Sequence, residues 1–285
     1  GLRRDQSVFA HLHVASGFSM KHAAATIDDL VAAAVDAGHT HLALTDRDSL
    51  SGAVRFVRAC ESAGIVPVLG VDLAVQPSVL PLPSDPSSAP TPAKGGVVRR
   101  WEYPRVLVLG RGQRGWAALC RLVSRAHANA AGASATTSPA QRQPFVTTDD
   151  IAECINNQVA SHASVPPLVV LHGPESEIGY FIARRRPDLA AQVAHTWMQV
   201  LPSAAMGVEV VSHALPVCRT PQIGVADLSL PVAQRMLGFA REHSIPAVLA
   251  HGVRFAKPGG NQVVDVLESV SVLSPMTSPH VRRCP

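Results

Sequence analysis

Two histidines two residues apart, His11 and His13, stand at the head of this chain, and two carboxylates follow at the ends of apolar stretches, Asp46 after LALT and Asp72 inside GVDLAV. On a β-strand, side chains two apart point the same way, so His11 and His13 can share a face. Imidazole and carboxylate together suit zinc or manganese, which makes these four residues the candidate metal ligands. The motif Gly110-Arg111-Gly112-Gln113-Arg114-Gly115 has the spacing of a dinucleotide-binding loop, but no Asp or Glu occurs between Glu102 and Asp149 to hold a ribose. It is read as a glycine-rich turn carrying solvated arginines. No G-x-S-x-G occurs, so a serine-hydrolase elbow is unsupported.

The elements that must position these residues alternate between period 2 and period 3.6. Residues 8–13 read as a strand, 27–37 as a helix and 41–45 as a strand. Thr26 and Asp29 have the spacing of a capping box, and Leu30, Val31, Ala34 and Val35 are expected on one buried face. Residues 51–63 form a second expected helix with Val54, Val57 and Cys60 on its stripe and Gly64 as its left-handed stop. Residues 65–75 then read as one or two buried strands. Such β-α-β units imply parallel strands with right-handed crossovers, and ligands sit at the carboxyl ends of parallel strands. Further strands are expected at 105–109, 168–171, 207–211 and 247–250, with helices at 116–127, 148–155, 230–243 and 261–270. Six or seven such repeats without a central linker point to one barrel-like domain.

Composition narrows the rest. At 285 residues and 47% hydrophobic the chain can bury a sizeable core, and with 4% aromatics that core must be mainly Val, Leu and Ala. The arginines fall in short clusters without interleaved aromatics, which points to a solvated surface rather than a dedicated nucleic-acid groove. Five cysteines are widely spaced and never form C-x-x-C, so buried thiols in a reducing compartment are expected. With neither a secretory h-region nor a membrane-length apolar run, the expectation is a soluble cytoplasmic protein and no membrane partner. Residues 76–104, rich in proline, and 129–147 are expected to be exposed loops within a domain spanning 1–275, with 276–285 a tail or the start of a linker.

The segments HLHVASGFSM, LALTDRDSLSGAVRF and AGIVPVLGVDLAV, in that order, resemble the N-terminal PHP domain of bacterial DNA polymerase III alpha subunits, especially the DnaE-type error-prone branch. GWAALCRLVSRAH, MGVEVVSH and LAHGVRFAKPG agree with later family segments. The resemblance implies an α/β fold, a distorted (β/α)7 barrel, joined to a polymerase. It also implies up to three metal ions held by a His-x-His-x-His run, an Asp, Thr-Asp-His, Gly-x-Glu and Asn-Asp-x-His. Here His11, His13 and Asp46 match and Asp72 replaces Glu. Ala15, His22, Arg47, Gly252 and Arg254 stand at former ligand positions, and each arginine brings a permanent cation where a metal would sit.

These departures favour a non-catalytic structural module of a DnaE-type polymerase with no cofactor of its own. The alternative is a metal-dependent phosphoesterase or 3′–5′ exonuclease using zinc or manganese on His11, His13, Asp46 and Asp72. On the first reading, Arg47 and Arg254 fill the old metal cavity and pair with Asp46, Asp72 or Glu209. The expected partners are the remaining polymerase domains, DNA through the parent protein, and replication or repair accessory proteins. The palm aspartates that bind Mg²⁺ in the family lie beyond this domain, so the chain is expected to be a fragment or a truncated product.

Overall fold

The computed structural model describes residues 9–80, 102–132, 143–156, 165–213 and 227–271. Helix α1 (Ile27–Asp36) opens on the capping box: Thr26 Oγ1 accepts from the Asp29 backbone N–H at 3.1 Å and donates to the Asp29 carboxylate at 2.8 Å. It buries Ile27, Leu30, Val31 and Ala34, but Val35 faces solvent, because one further residue turns ~100° off that stripe. In helix α2 (Ala53–Ala63) the buried stripe is Ala53, Phe56 and Cys60; Val54 is exposed, so the true face is rotated from the expected one. Gly64 ends it at φ 70°.

Strand β1 (His41–Leu44) is followed by one nine-residue strand, β2 (Val66–Ala74). Then come β3 (Arg105–Gly110), α3 (Gly112–Ala131), α4 (Thr148–Asn156), β4 (Leu168–His172), α5 (Glu177–Ala183), α6 (Pro187–Val200), β5 (Met206–Val211), α7 (Leu230–Glu242), β6 (Ala247–Ala250) and α8 (Gly260–Ser271). Helices α5 and α6 are additions to the sequence reading. α5 is only seven residues long, whereas α6 carried legible signals in Pro187 at its start and a stripe of Ala190, Val193, Ala194 and Trp197.

The six strands form one sheet in chain order. β1–β2, β4–β5 and β5–β6 pair in parallel, but β3 runs antiparallel to both β2 and β4, which departs from the all-parallel expectation. Residues 11–14 make single bridges rather than the strand expected at 8–13: His11 pairs with Leu42 and Val14 with Val253. Ala43 N–H donates to His11 O at 2.9 Å, and Val253 N–H to His13 O at 2.9 Å. This segment therefore links β1 to the stretch beyond β6 along the curled α/β sheet.

Strand alternation sorts the side chains into two layers. Val71, Leu73, Val106, Val108, Val170, Val208 and Val210 point outward into the main core with α3 to α7. Leu107, Leu109 and Leu171 point inward and form an apolar floor with Leu12, Val68, Val169 and Val248. Asp72, Arg105 and Glu209 share the inward parity.

The proline-rich stretch at 81–101 and residues 133–142 lie outside the described residues. The root of the first is tied down: the buried Glu177 carboxylate accepts from the N–H groups of Ser78, Val79 and Leu80 at 2.9, 2.6 and 2.6 Å and from the Ser78 hydroxyl at 3.0 Å. Glu177→Ala leaves these donors unpaired. We expect a loss of about 3 kcal/mol in denaturant unfolding, with faster proteolysis at residues 76–80.

Candidate functional site

Above the apolar floor, at the end of the barrel where β2 finishes and β3 begins, charged side chains meet. Asp72, only 3% exposed, is the centre. Its Oδ1 accepts from Arg105 Nε at 2.8 Å and its Oδ2 from Arg47 Nε at 2.9 Å. Arg105 Nη2 reaches Asp48 Oδ1 at 2.9 Å and the Asp72 carbonyl at 2.7 Å, while Arg47 Nη2 donates to Glu175 Oε2 at 2.5 Å. Burial raises the Asp72 pKa, but Arg105, Arg47 and His13 outweigh it and hold the carboxyl below its ordinary range. Burial likewise disfavours the two guanidinium charges, and the acids around them reverse the sign: Glu175 and Asp72 for Arg47, Asp48 and Asp72 for Arg105.

The antiparallel course of β3 makes this cluster possible, since Arg105 is its first residue and lies opposite Ala74, the last of β2. Sequence reasoning did not single out Arg105 or Glu175. Arg105 had a legible signal: an arginine sharing the inward parity of Leu107 and Leu109 needs a buried acid. Glu175, in the turn between β4 and α5, had none.

Beside the cluster, His13 Nδ1 lies 2.7 Å from Glu209 Oε1. Gly173 admits this pair, because a Cβ there would fall 2.1 Å from Glu209 Oε2. Burial lowers the His13 pKa, but Glu209, with Asp72 and Glu175 behind it, overcomes that and lifts it to about 9.

The other candidates fall in different surroundings. His11 packs edge-on against Phe9 and His39, each with ring centroids 4.9 Å away, and burial, then His39 and His251, lower its pKa. It does not share the surroundings of His13, because residues 11–14 are not a regular strand and strict alternation does not hold. Asp46 is buried and accepts from Ser16 N–H at 2.7 Å, Ser16 Oγ at 2.9 Å and Ser19 Oγ at 2.6 Å. It fastens the 16–19 turn to the end of β1 and pairs with neither arginine. Burial raises its pKa against those hydrogen bonds.

Arg254 also departs from expectation. Its Nε donates to the His22 carbonyl and its Nη2 to Glu268 Oε1, both at 2.7 Å, so it ties α8 to the 16–24 loop and does not join Asp72. His22 is buried with no hydrogen-bond partner for Nδ1; burial first, then Arg47 and Arg254, push its pKa well below the ordinary value. Ala15 is buried and its N–H donates to Val253 O, and a Cβ at Gly252 would meet no atom within 4 Å. Of the expected pairings, then, Arg47–Asp72 forms, while Glu209 takes His13.

A divalent ion does not fit these residues as placed. Both Asp72 oxygens are committed to guanidinium groups and those of Asp46 to serines. Among the described residues, no group of three or more His, Cys, Asp or Glu side chains is arranged to hold a metal.

The His13–Glu209 pair sets a pH signature. The folded pKa of about 9 lies above the ordinary 6.5, so the pair's stabilisation is complete below about pH 6.5 and fades as pH rises through about 9. The melting temperature should fall over that window, and Glu209→Gln should flatten the decline.

Known proteins resemble this chain over part or most of its length. The PHP domain family matches residues 11–213. An error-prone DNA polymerase from Symbiobacterium thermophilum is 37% identical over 119 residues, covering 42% of this chain and 9% of that protein. DNA polymerase III subunit alpha from Bacillus subtilis is 42% identical over 67 residues, covering 24% of this chain and 6% of that protein. The chain thus spans under a tenth of the length of these relatives. Among solved structures, one from Bifidobacterium adolescentis, assigned as a metal-dependent phosphoesterase, aligns over 90% of this chain and 91% of that one at 13% identity and a TM-score of 0.44. An amidohydrolase from Chromobacterium violaceum aligns over 88% of each chain at 15% identity with the same score. With the family's match running from His11 through β5, the chain belongs to the PHP domain family.

Proposed function

We propose that this chain is the PHP module of a DnaE-type DNA polymerase and that the module is structural rather than catalytic. The observation that carries the reading is the double engagement of Asp72. The carboxylate at the position of a family ligand gives one oxygen to Arg47 and the other to Arg105. A hydrolytic centre of the metal-dependent kind needs carboxylates and imidazoles free to bind an ion that activates water. Here the acids are occupied by fixed cations that also repel an incoming ion.

In this reading residues 1–275 are the barrel domain and 276–285, outside the described residues, are a tail or the start of a linker. Its partners are the other domains of the parent polymerase, which bring it to DNA, with accessory replication or repair proteins beyond them. The parent's activity is DNA-templated DNA synthesis, in replication or error-prone repair in the bacterial cytoplasm. This chain contributes a barrel whose charged end is held by internal ion pairs.

The test is direct. The purified chain is incubated with a 3′-labelled single-stranded oligonucleotide and with a chromogenic phosphodiester, in Mn²⁺, Zn²⁺ or chelator. Rates matching the protein-free blank in all three conditions are expected. A metal-dependent release of nucleotide that is abolished in His13→Ala would replace the structural reading with the phosphoesterase one.

A further inference from the structure

We infer that the turn joining α5 to α6 is a contact point for the phosphate backbone of DNA, held by Arg184, Arg185 and Arg235. The inference gives the module its own hold on DNA, and it rests on the structural reading only in choosing DNA over an acidic protein. The turn is Arg184-Arg185-Arg186. The Arg184 N–H donates to Phe181 O at 3.1 Å, the Arg185 N–H to Ile182 O at 3.1 Å and the Arg186 N–H to Phe181 O at 2.9 Å. The chain thus curls back on the end of α5. Arg235, on α7, reaches the same place, where its Nε donates to the Ile182 carbonyl at 3.3 Å. Four arginines therefore meet at one corner, and the acids of the elements that build it do not match them. Asp188 is the one Asp or Glu from residue 178 to residue 208, and none occurs from 228 to 241. Glu177, at the other end of α5, is committed to residues 78–80.

The four arginines are held differently. Arg184 lays its guanidinium on the Tyr180 ring, 3.7 Å from the centroid. Arg186 forks onto the Asp188 carboxylate through Nε at 2.9 Å and Nη2 at 2.7 Å, which offsets its charge. Arg185 is exposed, and among the described residues its guanidinium has no hydrogen-bond or ion-pair partner. Its backbone sits at φ 58°, the left-handed position just past a helix that glycine fills best. An arginine there strains the backbone and gains no side-chain contact within the fold, so its donors are available to a ligand outside. Phosphate is the ligand these groups fit. A guanidinium offers two parallel N–H groups to two phosphate oxygens, and clustered cations release the counterions condensed on a nucleic-acid backbone. Arg184 and Arg235, already anchored on Tyr180 and Ile182, lose little freedom on binding.

The experiment titrates a fluorescently labelled DNA single strand of about 20 nucleotides with the purified chain, in chelator, and reads anisotropy at about 50 and about 200 mM salt. The wild type is compared with Arg185→Gly, which removes the charge and should fold at least as stably, since glycine favours this φ. The variant should bind roughly threefold or more weakly at the lower salt, and its log–log salt slope should be shallower by about 0.7, the share of one phosphate contact. Arg184→Gln added to it should weaken binding further. No binding by the wild type, or an affinity and salt slope unchanged in Arg185→Gly, overturns the inference. So does a polyglutamate probe that binds as tightly as the strand and loses as much in the variant, which would assign the corner to an acidic protein. Metal-dependent hydrolysis of a phosphodiester would sink the structural reading and leave this comparison, made in chelator, standing. Failure to bind DNA would leave that reading intact.

Discussion

A carboxylate sealed inside a barrel is expensive unless something positive sits against it, and Asp72 is that carboxylate here. Much of the charged end of the barrel follows from compensating it. Arg105 must head β3 and β3 must run antiparallel so that its first residue meets the end of β2. Arg47 must leave β1 at a sharp turn, where Asp48 takes up φ 54° and donates its N–H to the Asp72 carbonyl. Glu175 must follow β4 closely enough to receive Arg47. Net stability from such a buried pair can be small, because desolvation offsets the attraction. Its larger effect is to fix geometry, since neither guanidinium can move without leaving a charge unpaired.

Much of the fold was legible because burial writes period into sequence. β2, β4, β5 and β6 announced themselves as apolar runs bounded by glycine, proline or polar residues, and the Thr26–Asp29 capping box and Gly64 placed helix ends. Strand direction was not legible. The pattern of RVLVLG reads as a near-continuous apolar run of the kind parallel strands carry, because this antiparallel strand is buried on both faces. That one ambiguity hid Arg105 from the site.

The candidate site was half legible for the same kind of reason. His13 and Asp72 were readable as polar residues at strand ends, and each acts on the other's charge without a hydrogen bond between them. His11 and Asp46 carried the same local signal, yet a bridge-only segment and two serine hydroxyls took them elsewhere. Arg254 matched a ligand position in sequence, but a flexible side chain goes to the acid within reach, and Glu268 on α8 lies only 14 residues on. Long-range partners such as Glu209 and Glu175 lie far along the chain from His13 and Arg47, at separations of 196 and 128 residues, where no periodicity speaks.

The shared hold of two arginines on one carboxylate has a consequence for the mutational paths open to this domain. Because both guanidinium groups lean on Asp72, a change at either position is coupled to the other, and their effects cannot add independently. A single step at either arginine leaves a buried site with one counter-charge missing. Either arginine alone would face Asp48, Asp72 and Glu175 with a single guanidinium, so a substitution at one position changes what the other can tolerate.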